Sequence, residues 1–184
     1  MNDFSTTDIK QLLDEEARRI NNLSFIDKDP VQFPRRFERL QDIEIVSLLC
    51  ATIAWGNRKM ICSNCEKLLT LMEYRPLEYI LDEGYEELPE GNIHRTFFVS
   101  NLRHYMRGLR QIYHQNGSLQ KYARKKGVQH AEFPSWHLVA AMNETLAILE
   151  SVTDTASADA AAAQLVELSG KLEATQASLE AMSE

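Results

Sequence analysis

The sequence predicts an all-α fold. Apolar residues recur at helical spacing, no segment alternates apolar and polar residues with period two, and capping residues precede most of the apolar stretches. Thr7 or Asp8 is expected to cap a first helix through about Ile20, with Ile9, Leu12, Leu13, Ala17 and Ile20 as its apolar stripe. Asp29-Pro30-Val31-Gln32-Phe33-Pro34 reads as non-helical, because each proline pushes its predecessor toward extended geometry. Asp42 then opens a helix over Ile43 to Ala54, which Trp55-Gly56 breaks. Asn57 caps the next helix, Arg58 to about Met72, with Ile61, Cys65, Leu68, Leu69 and Met72 as its buried face. Pro76 suits the first turn of a short helix ending at Leu81, and Gly84, Pro89 and Gly91 mark a loop. A helix follows from Val99 to His114, and Ser118 caps a shorter one ending near Gly127.

The last third changes character. Leu138 to Leu149 reads as one amphipathic helix, and Ser157 or Asp159 starts another. In the latter, Ala161, Leu165, Leu168, Leu172, Thr175, Leu179 and Met182 keep a 4-3-4-3 spacing, the seam of a heptad helix. Gly170 weakens it by about 1 kcal/mol relative to alanine. The expected organisation is a helical domain over residues 1–149 and an alanine-rich acidic helical tail over 150–184. The seam would serve a homodimer through residues 157–183 or another partner helix, or else the segment packs back on its own domain or frays.

At 184 residues the chain is one ordinary domain, or one domain with an appendage. No run of 18 apolar residues exists, so no membrane-spanning helix is expected. Met1-Asn2-Asp3-Phe4 lacks the basic and apolar regions of an export signal, and three cysteines without such a signal suit reduced thiols in a cytoplasm.

The net charge of −7 is unevenly spread. From Val128 onward nine acids face one base, Lys171. Gly91 to Ala131 contains no acid and eight bases. Such asymmetry suggests a polyanion partner, DNA or RNA. Arg103, Arg107, Arg110 and His114 fall along one helix face, beside a stripe of Leu102, Met106, Leu109 and Tyr113 that can face the core. That row could follow a phosphate backbone, and Tyr105, Tyr113 and Tyr122 could stack on unpaired bases. Arg58 and Lys59 start a helix, where backbone N–H groups also favour phosphate. The expected nucleic-acid contacts are thus Arg58, Lys59, Arg95, Arg103, Arg107, Arg110, Lys121 and Arg124. The competing expectation is that these arginines pair with the acidic tail or with Asp82, Glu83, Glu86 and Glu87.

Other chemistry finds little material. Cys62-x-x-Cys65 has metal-ligand spacing but no second pair, and Cys65 falls on the buried stripe, so no metal is expected. Asp27, Asp29, Asp42 and Glu44 could offer an acid–base pair, yet helix capping and pairing with Arg35, Arg36 or Arg39 suit them better. Phosphate loops, nucleophile elbows and His-Glu-x-x-His spacing are missing, so no cofactor and no catalytic residue is assigned.

Four strings carry a family resemblance: Asp29-Pro30-Val31-Gln32-Phe33-Pro34-Arg35-Arg36-Phe37, Asp42-Ile43-Glu44-Ile45, Ala51-Thr52-Ile53-Ala54-Trp55-Gly56-Asn57-Arg58-Lys59-Met60-Ile61 and His94-Arg95-Thr96-Phe97-Phe98. They resemble an uncharacterised bacterial family with no assigned activity, over about residues 1–149. That family is itself distantly similar to the helix-hairpin-helix DNA glycosylases, in which an apolar helix, a short polar turn and a second helix precede the hairpin. The resemblance implies the N-terminal part of a glycosylase-like fold. The hairpin's Gly-x-Gly turn and an element resembling the region of the catalytic aspartate do not follow Glu150, which reads as truncation, frameshift or fusion. The function expected is a nucleic-acid-binding module related to DNA-repair glycosylases without a complete active site, or else a non-catalytic assembly protein self-associating through its tail.

Overall fold

The computed structural model describes residues 5–150, with only the backbone of the last three. The tail helix and its seam lie outside the described residues. The chain divides into two units, Met1–Pro76 and Leu77–Glu184, a boundary that the sequence reading does not place. The described residues are helical apart from one two-stranded ribbon, so the fold is all-α.

In the first unit α1 spans Thr6–Ile20, and its cap is Ser5 rather than Thr7 or Asp8. Ser5 Oγ accepts the Asp8 N–H at 3.2 Å, while the Asp8 carboxylate accepts the Ser5 N–H at 3.0 Å, a reciprocal capping box. The stripe is helical in phase, yet α1 buries none of its residues, and Leu12 and Leu13 are 55% and 62% exposed. A short α2 (Leu23–Ile26) leads into Pro30, where the expected extended stretch is instead two 3₁₀ turns, Pro30–Gln32 and Pro34–Arg36. Each turn opens on a proline, whose missing N–H costs nothing there. Asp29 is extended as expected, but Phe33 is helical (φ −68°, ψ −52°) despite the following proline. Its burial to 2% exposure under the turn overrides the local preference.

Helix α3 runs Leu40–Thr52, earlier than expected at both ends, and Asp42 lies inside its first turn rather than capping it. A carboxylate there meets the positive end of the helix dipole. Gly56 (φ 107°) makes the break before α4 (Arg58–Leu71), whose cap Asn57 accepts the Met60 N–H at 3.2 Å. The α4 face Ile61, Cys65, Leu68, Leu69 and Met72 is buried as predicted. It meets Ile45, Val46, Leu49, Cys50 and Ile53 to form this unit's core, since α3 and α4 pack together.

The second unit takes in α5 (Pro76–Leu81, its first residue at the boundary), a β-ribbon, α6 (Val99–Asn116), α7 (Leu119–Lys125), a 3₁₀ turn (Val128–His130) and α8 (Pro134–Glu150). The ribbon, β1 (Asn92–His94) against β2 (Phe97–Phe98), is antiparallel and irregular in register, and the sequence reading has no strand there. Arg95 turns it at φ 49°, with the Asn92 side-chain amide donating to the Arg95 carbonyl. Strands this short carry no alternation to read. Helix α6 buries Leu102, Met106, Leu109 and Tyr113 as predicted, together with Ile112, and ends at Gly117, which takes the left-handed conformation (φ 71°). Ser118 caps α7, and the buried Tyr122 hydroxyl donates to the Ala141 carbonyl at 2.7 Å, tying α7 to α8. Helix α8 begins four residues before the predicted Leu138 because Pro134 fits its first turn.

Helices α6 and α8 meet at Gly108, where an added Cβ would stand 2.4 Å from Leu146 Cδ2 and 3.0 Å from Cγ. Gly108→Val is therefore expected to lower stability by about 2 kcal/mol through overpacking. Denaturant unfolding of this variant with and without Leu146→Ala should show the second change recovering part of the loss. Equal, additive losses would show that the two helices do not meet there.

Candidate nucleic-acid interface

The spacing of Arg103, Arg107 and Arg110 puts three guanidinium groups along one side of α6, next to the stripe that faces the core. All three reach the segment between α5 and the ribbon. Arg103 donates to Glu90 at 2.7 Å and to the Leu88 carbonyl at 2.8 Å, with a weaker contact to the Tyr85 carbonyl at 3.4 Å. Arg107 holds Glu86 with both nitrogens at 2.6 Å. Arg110 pairs with Glu83 at 2.6 Å. These contacts match the competing expectation, pairing with Glu83 and Glu86, and add Glu90. The Arg103 side chain is only 17% exposed.

Electrostatics follow the geometry. The Arg107 guanidinium, and then Arg103, hold the Glu86 carboxyl below its ordinary range, while Glu86 raises Arg107. Burial, with Glu83 and Glu86 nearby, pushes the Tyr85 phenol up to about 12. The row therefore fastens a loop. Tyr113 and Tyr122 are buried, which removes them from the surface on which they were expected to stack.

The remaining expected contacts are distributed over both units. Lys121 and Arg124 are exposed on α7, and no ion pair of either side chain is formed among the described residues. Arg95 is exposed at the ribbon turn. In the first unit, Lys59 is exposed at the start of α4, and Arg58 stands beside it over the Phe25 ring at 5.2 Å. The Asp29 carboxylate approaches the Arg58 guanidinium at 3.8 Å.

Arg58 also lines an open cleft of about 310 Å³ with Arg19, Lys28, Asn22, Ser24 and Phe25. Arg19 is bonded to Glu16, whereas Lys28 is exposed and its ammonium forms no ion pair among the described residues. Three cations, a partly exposed ring and two neutral polar side chains thus share one concavity. Sequence reasoning finds Arg58 but misses Arg19, Lys28 and Phe25. Arg19, Phe25 and Lys28 lie within ten residues of one another, thirty or more from Arg58, and the packing of α2 and α4 on the first proline turn brings Arg58 to them.

Tyr74 and Arg36 hold Glu66 low, and burial holds the Cys62 thiol high. A hydrogen bond with Cys50, together with burial, keeps Cys65 a neutral thiol. Among the described residues no group of three His, Cys, Asp or Glu side chains is placed to hold a metal ion, and no helix is long and apolar enough to cross a membrane.

A family model described as a protein of unknown function, DUF2400, matches residues 29–173. The match omits the first helix and runs beyond the limit of about 149 that the motifs gave. No curated protein and no solved structure matches the chain, and the family match carries no sign of the expected likeness to helix-hairpin-helix glycosylases.

Two outcomes follow from the arginine row. Arg103→Ala removes a charged donor from two backbone carbonyls and Glu90, and is expected to cost about 2 kcal/mol. Hydrogen exchange should then accelerate at residues 85–90, and unchanged exchange would show that the row does not fasten the loop. The Glu86 carboxyl titrates low in the folded state, so its contribution is present above its ordinary value of 4.5 and lost as pH falls below it. Glu86→Gln is expected to flatten the acid limb of a stability–pH curve. An unaltered limb would contradict the pairing.

Proposed function

The chain belongs to the DUF2400 family of proteins of unknown function, and from that premise we propose that it is a nucleic-acid-binding module without a complete active site of its own. The observation that carries this reading is the cleft lined by Arg19, Lys28, Arg58 and Phe25, with Arg58 over the Phe25 ring. Ammonium and guanidinium groups at such a site neutralise phosphates and release their counterions, and the ring offers a face for an unpaired base. Lys59 at the start of α4, and separately Lys121 and Arg124 on α7, would add phosphate contacts. The three arginines of α6 support the fold and contribute to binding only indirectly.

The reading of binding without catalysis rests on the motifs that the sequence lacks, a phosphate loop, a nucleophile elbow and His-Glu-x-x-His spacing. The relation to DNA-repair glycosylases would then lie in scaffold rather than reaction, and a soluble, cytoplasmic setting is part of the same reading.

Fluorescence anisotropy of labelled single- and double-stranded DNA tests it. Binding that weakens with salt is expected, with the slope of log affinity against log salt falling by about one for each phosphate contact removed. Lys28→Glu combined with Arg58→Glu should weaken binding of both DNAs. Retained affinity in that variant would reject the cleft, and no binding at low salt would reject the module.

A second reading, an assembly protein pairing through residues 157–183, draws on the heptad spacing and on the exposed stripe of α1. A dimeric mass that becomes monomeric on removal of those residues would favour it.

A further inference from the structure

Where α7 meets the start of α8, the second unit leaves two large rings in solvent. Phe133 stands just before α8 and is 62% exposed, and Trp136, about one turn on, is 79% exposed. Single exposed apolar residues are ordinary on a protein surface. Two aromatic side chains at neighbouring positions are not, since each brings roughly 150–250 Å² to a contact.

Hydrogen bonding holds the backbone beneath these rings. The His137 ring, next to Trp136, bonds to the Lys126 carbonyl at 2.7 Å, so α8 begins against the end of α7. Both helices also pack on the 3₁₀ turn at Val128–His130. Lys126 is engaged within the fold: its ammonium lies 5.9 Å from the Tyr122 ring centre and 3.8 Å from the Glu144 carboxylate. Lys121 and Arg124 stay exposed on α7 and form no ion pair among the described residues.

Charge and shape together name the partner. Residues 117–143 hold four bases, Lys121, Arg124, Lys125 and Lys126, and one acid, Glu132. An anion is therefore favoured, and the rings require that it also offer flat apolar faces. An anionic lipid surface suits this end poorly, because an interfacial helix presents an unbroken apolar face. Here the exposed Asn143 lies two turns from Trp136 on the same face, and the exposed Glu132 adjoins Phe133. A single-stranded nucleic acid meets both conditions, its bases free to stack on rings while its phosphates reach flanking cations. In a duplex the base faces are already stacked on one another.

We propose that the α7–α8 end of the second unit binds single-stranded nucleic acid, with Phe133 and Trp136 stacking on bases and Lys121 and Arg124 holding phosphates. The proposal rests on the nucleic-acid reading above, yet draws on no residue of the Arg58 cleft.

Trp136 reports on its own contact. In a full chain carrying Trp55→Phe, a short oligothymidylate should cut Trp136 emission about twofold or more through base–aromatic stacking. Added salt should restore the emission, and the same strand in duplex with oligoadenylate should quench far less. The quenching should persist when Lys28→Glu and Arg58→Glu disable the cleft. By anisotropy with a labelled oligothymidylate in that cleft variant, Trp136→Ala should weaken binding about fivefold or more, and Trp136→Phe should recover most of it. Emission unmoved while the full chain binds, or quenching lost in the cleft variant, would overturn this contact and leave the cleft as the site. Equal quenching by single strand and duplex would overturn stacking. A blue shift on vesicles of phosphatidylserine and phosphatidylcholine, with no response to the oligonucleotide, would overturn it in favour of a lipid surface. No binding by either readout at low salt would overturn this proposal and the nucleic-acid reading together.

Discussion

Three arginines at helical spacing on α6 fasten the acidic segment of the second unit to that helix. The sequence keeps its charges apart: Asp82 to Glu90 contains five acids, and the acid-free stretch begins at the next residue. Folding brings the blocks together, because the ribbon at residues 92–98 reverses the chain and lays α6 alongside the acidic segment. Few backbone hydrogen bonds hold that segment. Besides the guanidinium groups, the buried Tyr85 anchors it. Arg103 matters most, since it is largely buried and bonded to both carbonyl and carboxylate oxygens. Arg107 is more exposed, and its pair with Glu86 is correspondingly weaker in water.

This constraint governs the functional reading. A phosphate backbone lying on the α6 row would have to displace Glu83, Glu86 and Glu90 from good bonds, and the displaced carboxylates would then repel it. The cleft beside Arg58 carries no such cost for Lys28, whose ammonium has no ion pair among the described residues.

What could be read from sequence was what is decided locally. Asn57 and Ser118 cap the helices assigned to them, and Leu102, Met106, Leu109 and Tyr113 are buried on the phase that their spacing gives. The misses are non-local. Phe33 adopts a helical conformation against its proline because burial outweighs a local preference, and the ribbon turns on a single positive φ at Arg95. The stripe of α1 has helical phase without burial, since periodicity states which residues share a face and not what the face meets. At the candidate site, Arg58 was legible from its place at a helix start, whereas Lys28 and Phe25 join it only through the fold. The pairing of the arginines was already one of two alternatives, and the geometry favours it.

The claim that the α6 row is occupied while the Arg58 cleft is available can be tested in one experiment. The measurement is the side-chain Nε–H resonances of the arginines during titration of the full chain with a short single-stranded DNA. The Arg103 and Arg107 signals should be protected from exchange and unmoved, while the Arg58 signal shifts with saturation. Displaced signals from Arg103 and Arg107 with a stationary Arg58 would contradict it and return the interface to α6.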